Sequence, residues 1–291
     1  MQVQWFPGHM AKTRRLIKEQ LKLVDVVIEI VDARIPQSSR NPLIDEIVAN
    51  KPRLIILNKE DLSDEKITQS WLQYFDKLNQ HKALKFNSTS LKANILNSLK
   101  EAVLVLTAEK REKRALKGIK SQVVRSMVVG IPNVGKSTFI NNIVGKKAAK
   151  TGNKPGVTRG KQWIRLDNNI ELLDTPGILW PKFEDPEVGF RLAVTGAVND
   201  DIFNMEEGAL KLISFLADQY PLLLCHRYKL DNDDLQLEPI SIMEKMAHNR
   251  GCILSGKRID YTKIAYIIIN EFRGGQIGRI SMERPSIELN L

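Results

Sequence analysis

The chain has 291 residues and a mass of 33.1 kDa, a length that fits one main domain and a smaller second one. It carries a net charge of +10, from 44 Lys and Arg against 34 Asp and Glu. No stretch approaches the roughly 20 apolar residues that span a bilayer, the N-terminus lacks a signal-peptide pattern, and two cysteines without C-x-x-C spacing exclude a structural zinc finger.

In chain order, residues 10–22 read as a basic amphipathic helix with Met10, Ile17 and Leu21 on one side. Val24 to Val31 is apolar except for Asp25 and Glu29 and reads as a central strand ending at Asp32-Ala33-Arg34. A helix is expected over 41–50. Arg53 to Leu57 reads as a buried parallel strand, and Asn58-Lys59-Glu60-Asp61 follows it, fitting N-K-x-D with Glu60 at the variable position. Asp61 would accept hydrogen bonds from N1–H and the 2-amino group of guanine. Adenine offers an acceptor at N1 and no 2-amino group, so it would leave this carboxylate unpaired, a strong basis for discrimination. Asn58 would bond the far edge of the base, and the stem of Lys59 would cover its face.

A helix over 66–79 is followed by a short strand, Ala83 to Phe86, and by Asn87-Ser88-Thr89-Ser90, where backbone N–H groups at Ser88 and Thr89 would touch the base. Ile95, Leu99, Ala102 or Val103, and Leu106 keep helical spacing through one long helix with a charged tail. This helix would bridge two halves of a domain.

Ser126 to Val129 then leads into Gly130-Ile131-Pro132-Asn133-Val134-Gly135-Lys136-Ser137, which fits G-x-x-x-x-G-K-S between a strand and a helix. Backbone N–H groups of Asn133, Val134, Gly135 and Thr138 would surround phosphates. Lys136 would reach the β- and γ-phosphates, and Ser137 would ligate Mg²⁺. The glycine-rich, cationic loop 150–161 holds Thr158, the natural switch threonine for Mg²⁺. Strands are expected over 162–166 and 170–173. Asp174-Thr175-Pro176-Gly177 fits D-x-x-G, with Asp174 holding Mg²⁺ through water and the Gly177 N–H sensing the γ-phosphate.

These motifs stand in an unusual order, with N-K-x-D ahead of the phosphate loop, and define a circularly permuted GTPase binding GTP and GDP. The expected fold is α/β, a doubly wound, mostly parallel sheet. Helices expected over 207–219, 221–228, 241–250 and 261–272, the last with Asp260 as N-cap and Gly274 as terminator, form a C-terminal all-helical domain. The boundaries are 1–182 for the GTPase domain and 183–291 for the helical one.

Residues 205–291 hold 11 basic and 12 acidic side chains, so the positive excess lies in the first 204 residues, around 12–22, 110–125 and 146–165. Three such runs favour a nucleic-acid surface over plain solvated faces. Without a base-reading motif, backbone and shape contacts with structured RNA are expected rather than DNA.

Many GTPases place a glutamine just after D-x-x-G to orient the attacking water, but Ile178 stands here and cannot orient water. His9, in Trp5-Phe6-Pro7-Gly8-His9-Met10, is the candidate catalytic group; the other reading is a structural or partner-contacting histidine. The Asn133 side-chain oxygen offers a seat for K⁺ against the nucleotide, with loop packing as its alternative.

On the opening Trp5 to Met10, Asp32-Ala33-Arg34, the permuted motif order and the closing Arg273 to Arg279 segment, the whole chain resembles the YlqF family of circularly permuted GTPases. The resemblance implies a GTPase that binds the large (50S) ribosomal subunit, promotes its late maturation and is stimulated by it. It also implies an aliphatic residue at Ile178, a catalytic histidine at His9 and an RNA-binding helical C-terminal domain. A cytoplasmic monomer is expected, with rRNA and ribosomal proteins as partners and no membrane. The alternatives are a small-subunit assembly GTPase, and an RNA-binding placement factor with little turnover.

Overall fold

The computed structural model describes residue 15 and residues 17–48, 51–87, 93–119, 123–145, 162–166, 169–175 and 185–286. They form two compact units: residues up to 175 together with 281–286, and residues 185–280.

The first unit is built on six strands, β1 (Val26–Asp32), β2 (Arg53–Asn58), β3 (His81–Phe86), β4 (Val124–Val129), β5 (Gln162–Arg165) and β6 (Ile170–Asp174), in the spatial order β3-β2-β1-β4-β6-β5. Every pairing is parallel except β5 against β6. β1 is buried along its whole length, as the near-continuous apolar run requires of a central parallel strand. Helices α1 (Pro42–Val48), α2 (Glu65–Lys77), α3 (Ala93–Leu106), α4 (Ala108–Leu116) and α5 (Lys136–Val144) accompany the sheet. Ile17, Leu21, Ile44 and Val48 pack with Val27, Met127 and Leu173, and next to them Ile67, Trp71 and Phe75 of α2 cover Val31, Ile55 and Leu57.

The long helix expected through Ile95 to Leu106 and its charged tail is two helices, and Thr107 is the break. With φ −109° and ψ 6° it leaves helical geometry, and its hydroxyl donates to the Val103 carbonyl at 2.8 Å. A threonine that bonds its own backbone offers the chain an alternative to the next helical turn.

The second unit contains α6 (Pro186–Val194), α7 (Met205–Gln219), α8 (Pro221–Tyr228), α9 (Pro239–Asn249) and α10 (Tyr261–Arg273). Leu212, Ile213, Leu216, Ile264, Ile268 and Phe272 are buried in it. The Asp260 side chain caps α10 by accepting from the Lys263 N–H at 3.0 Å, and Gly274 is the C-cap. One boundary expectation is corrected: the chain beyond Ile280 packs with the first unit, not the helical one. The cause is a set of hydrogen bonds in which Met282 N–H donates to the Arg34 carbonyl at 2.8 Å and the Glu283 carboxylate accepts from Gln37 N–H at 2.7 Å. No helix among the described residues is long and apolar enough to cross a membrane.

Candidate nucleotide site

Parallel register sets the site. It aligns Asp32 with Asn58 and Asn58 with Phe86, and it pairs Val128 with Asp174 across β4 and β6. The C-terminal tips of these strands therefore share one edge of the sheet. Strand order reverses between β1 and β4, the switch point where such sheets open a crevice for ligands. N-K-x-D follows the tip of β2, the glycine loop that of β4, and the D-x-x-G aspartate ends β6. What matters is which tips adjoin, and that is independent of where the chain starts.

The two central motifs touch directly. The Asn58 side-chain amide donates to the Val134 carbonyl at 2.6 Å, locking the tetrad to the glycine loop. Lys59 has a left-handed backbone, φ 59°, and its ammonium donates to the Asp32 carboxylate at 2.9 Å. Glu60 N–H donates to the Phe86 carbonyl at 3.3 Å, so the end of β3 is fastened to the tetrad as well. The Phe86 ring meets Phe139 of α5 edge to face, with centroids 5.0 Å apart. Asp61 is exposed, open to a ligand.

The glycine loop turns into α5 through Asn133 (φ 59°) and Gly135 (φ 93°), both left-handed. Gly130 has φ 153°, and a Cβ there would lie 2.6 Å from the Ile30 carbonyl, so only glycine lets β4 leave the sheet at this point. Lys136 is buried, and its ammonium donates to the Ile131 carbonyl of its own loop at 2.9 Å. Burial pushes this ammonium down to about 8, partly opposed by the Asp174 carboxylate. Asp174 is buried and Ser137 half-buried, while Asn133 and Thr138 are exposed. The Thr175 hydroxyl donates to the Val128 carbonyl at 2.6 Å, binding the tip of β6 to β4.

Sequence reasoning assigned no role to Asp32 and Arg34. Asp32 ends β1 fully buried and takes two side-chain bonds from Arg34, at 3.0 and 2.8 Å, besides the one from Lys59. Burial alone would raise its carboxyl, but Arg34 and Lys59 outweigh that and hold it well below the usual range. An acid at the very end of a mostly apolar strand, two residues before an arginine, was the visible signal. His9, Ser88, Thr89, Thr158, Gly177 and Ile178 lie outside the described residues.

A glycine phosphate loop, a guanine-type tetrad and a D-x-x-G aspartate meeting at the switch point of a parallel sheet define a P-loop GTPase with permuted chain order. The pattern of the family described as 50S ribosome-binding GTPase matches residues 125–253. Ribosome biogenesis GTPase A of Bacillus cereus is 48% identical over 285 residues, covering 98% of this chain and 95% of that protein. Among solved structures, the GDP-bound TM YlqF has a TM-score of 0.63 at 26% identity, covering 93% of this chain and 99% of that one. The GNP-bound YlqF from T. maritima has a TM-score of 0.62 at 25% identity, covering 94% and 99%. The chain belongs to the ribosome biogenesis GTPase A family.

Proposed function

We propose that this GTPase binds GTP along the tips of β1, β2, β4 and β6, hydrolyses it with Mg²⁺, and uses the cycle to promote late maturation of the large ribosomal subunit, which stimulates it. The observation that carries the nucleotide reading is the 2.6 Å bond from Asn58 to the Val134 carbonyl, which makes base loop and phosphate loop one construction.

Asp61 reads N1–H and the 2-amino group, and the Lys59 stem lies over the base with its ammonium tethered at Asp32. Asn58 supports the loop between base and phosphates. Backbone N–H groups from Asn133 to Thr138 receive phosphate oxygens at the N-terminus of α5. Lys136, which rests on its own loop carbonyl, exchanges that neutral partner for the β- and γ-phosphates, and their charge repays its burial. The donor set fits Mg²⁺: a hydroxyl at Ser137 in the first turn of α5 and a buried carboxylate at Asp174 whose charge already acts on Lys136. Thr158 completes the set, and Gly177 senses the γ-phosphate. Bound Mg²⁺ supplies charge neutralisation across the phosphates.

His9 orients the attacking water in place of the missing glutamine, and Asn133 holds K⁺ beside the nucleotide. An unchanged single-turnover rate in His9→Ala, with and without the subunit, removes His9 from the mechanism; equal rates in K⁺ and Na⁺ remove the Asn133 site. The helical unit and the basic runs of the first 204 residues together contact rRNA and ribosomal proteins. Sedimentation with purified large and small subunits, in GDP and in a non-hydrolysable GTP analogue, tests the partner. GTP-dependent co-sedimentation with the large subunit and faster phosphate release in its presence are expected. Preference for the small subunit overturns the assignment, and binding without turnover reduces the protein to a placement factor.

A further inference from the structure

The chain returns to the nucleotide unit through three residues. The Ser281 hydroxyl accepts from the Asp64 N–H at 3.1 Å, and the Glu283 carbonyl accepts from the Trp71 indole N–H at 3.2 Å. The Glu283 carboxylate receives Gln37 N–H at 2.7 Å, Ser38 N–H at 3.0 Å and the Ser38 hydroxyl. Ser281 is 4% exposed and Glu283 8%. A carboxylate at this depth loses its hydration, and it is tolerated because several N–H and O–H donors converge on it.

Two of the groups held in this way, Asp64 and Ser38, connect to the tetrad. Asp64 is three residues past Asp61 and caps α2. Ser39, next to the doubly bonded Ser38, accepts the Asp32 N–H on its hydroxyl at 3.0 Å. Asp32 in turn holds Lys59. A lysine with a left-handed backbone is uncommon and persists where its surroundings impose it. The contiguous path Glu283, Ser38–Ser39, Asp32, Lys59 ties the end of this lysine side chain to a residue far away in sequence.

We propose that Glu283 is a positioning residue for guanine recognition, fixing through the 37–39 turn the aspartate that holds Lys59 over the base, and that Ser281 steadies Asp61 through the N-terminus of α2. The proposal rests on reading Asn58 to Asp61 as the guanine tetrad.

The test uses the full chain and mant-GDP titrations, with active-site titration to count the competent fraction and melting curves alongside. Glu283→Gln keeps the shape and removes the charge; it is expected to raise the Kd of the competent fraction about tenfold. Ser281→Ala is expected to raise it about threefold. In turnover assays the KM for GTP follows the Kd, while kcat stays within about threefold. A residue that only stabilises the fold lowers the melting temperature and the competent fraction but leaves the Kd of what remains unmoved. A Kd within twofold of the parent in both variants overturns the proposal, whatever happens to melting. If Glu283→Gln does not fold, Ser281→Ala decides alone. Asp61→Asn separates the two layers: its amide can donate to the 2-carbonyl of xanthine, so a switch from GDP to XDP is expected. If that switch occurs and the strap variants do nothing, the strap is only a staple; if it fails, the guanine reading and the strap's role in it fall together.

Discussion

Glu29 lies in the middle of β1, fully buried, with Arg40 at 3.4 Å and Arg53 at 3.7 Å from its carboxylate. Both guanidiniums also engage Asp45, Arg40 at 2.7 Å. Burial raises the Glu29 carboxyl above its ordinary value; the two arginines oppose this and Asp45 adds to it. The folded state therefore keeps a proton that the unfolded chain releases near pH 4.5, so this site's contribution to stability falls as pH rises above that point. Urea titrations at pH 4.5, 6 and 7.5 should show the parent losing ground to Glu29→Gln as pH rises; a constant difference refutes the shift. At Gly130, alanine combines a left-handed φ with a Cβ against the Ile30 carbonyl. Gly130→Ala should cost about 2 kcal/mol or more in chemical denaturation and weaken GDP binding. At this scale the motifs were legible because guanine edges, phosphates and a tight turn each demand particular residue types at set spacing. Glu283 was not, because a carboxylate that caps a turn far back in the chain leaves no local pattern.

Among elements, the strands were the most readable. Parallel strands buried on both faces must be apolar, and the expected strands match β1 to β6 within about two residues at each end. Helix ends were harder. Apolar spacing stops at Leu106 and helix-forming charged residues follow Thr107 at once, so periodicity did not mark the break between α3 and α4. α6 was missed although Asp185 followed by Pro186 is a start signal: the Asp185 side chain accepts from the Glu187 N–H at 2.8 Å with proline in the first turn. α2 begins the same way, with Asp64 accepting from Lys66 and Ile67 N–H at 2.9 and 3.1 Å. Asp64→Ala should cost about 1 kcal/mol. Because this cap immediately follows the tetrad, GDP affinity should fall in the same variant. Equilibrium unfolding and mant-GDP titration read the two effects separately, and an affinity loss without any stability loss would contradict the capping account.

For the whole molecule, the permutation is conservative. The tips of β1, β2, β4 and β6 share one edge of the sheet around the switch point, and that adjacency does not depend on the order in which the chain visits them. If Ser137, Thr158 and Asp174 hold Mg²⁺, chelation with EDTA should lower phosphate release by at least about 100-fold and restoring Mg²⁺ should recover it; turnover that survives chelation would discard the set. The net charge of each half was legible, but which basic side chains are already spent was not. Lys110 and Arg114 pair with Asp25 at 2.6 and 2.7 Å, so part of the 110–125 run serves the fold itself, and in the helical unit Lys245 pairs with Asp234.

The return of residues 281–286 to the first unit also dictates a timetable for biosynthesis. A polypeptide still being translated owns its phosphate loop early, yet it acquires Ser281 and Glu283 only after the described helices of the 185–280 unit have been made. If the strap holds the base-reading edge as proposed, products ending before residue 281 would carry the phosphate loop without it and would bind guanine nucleotide weakly.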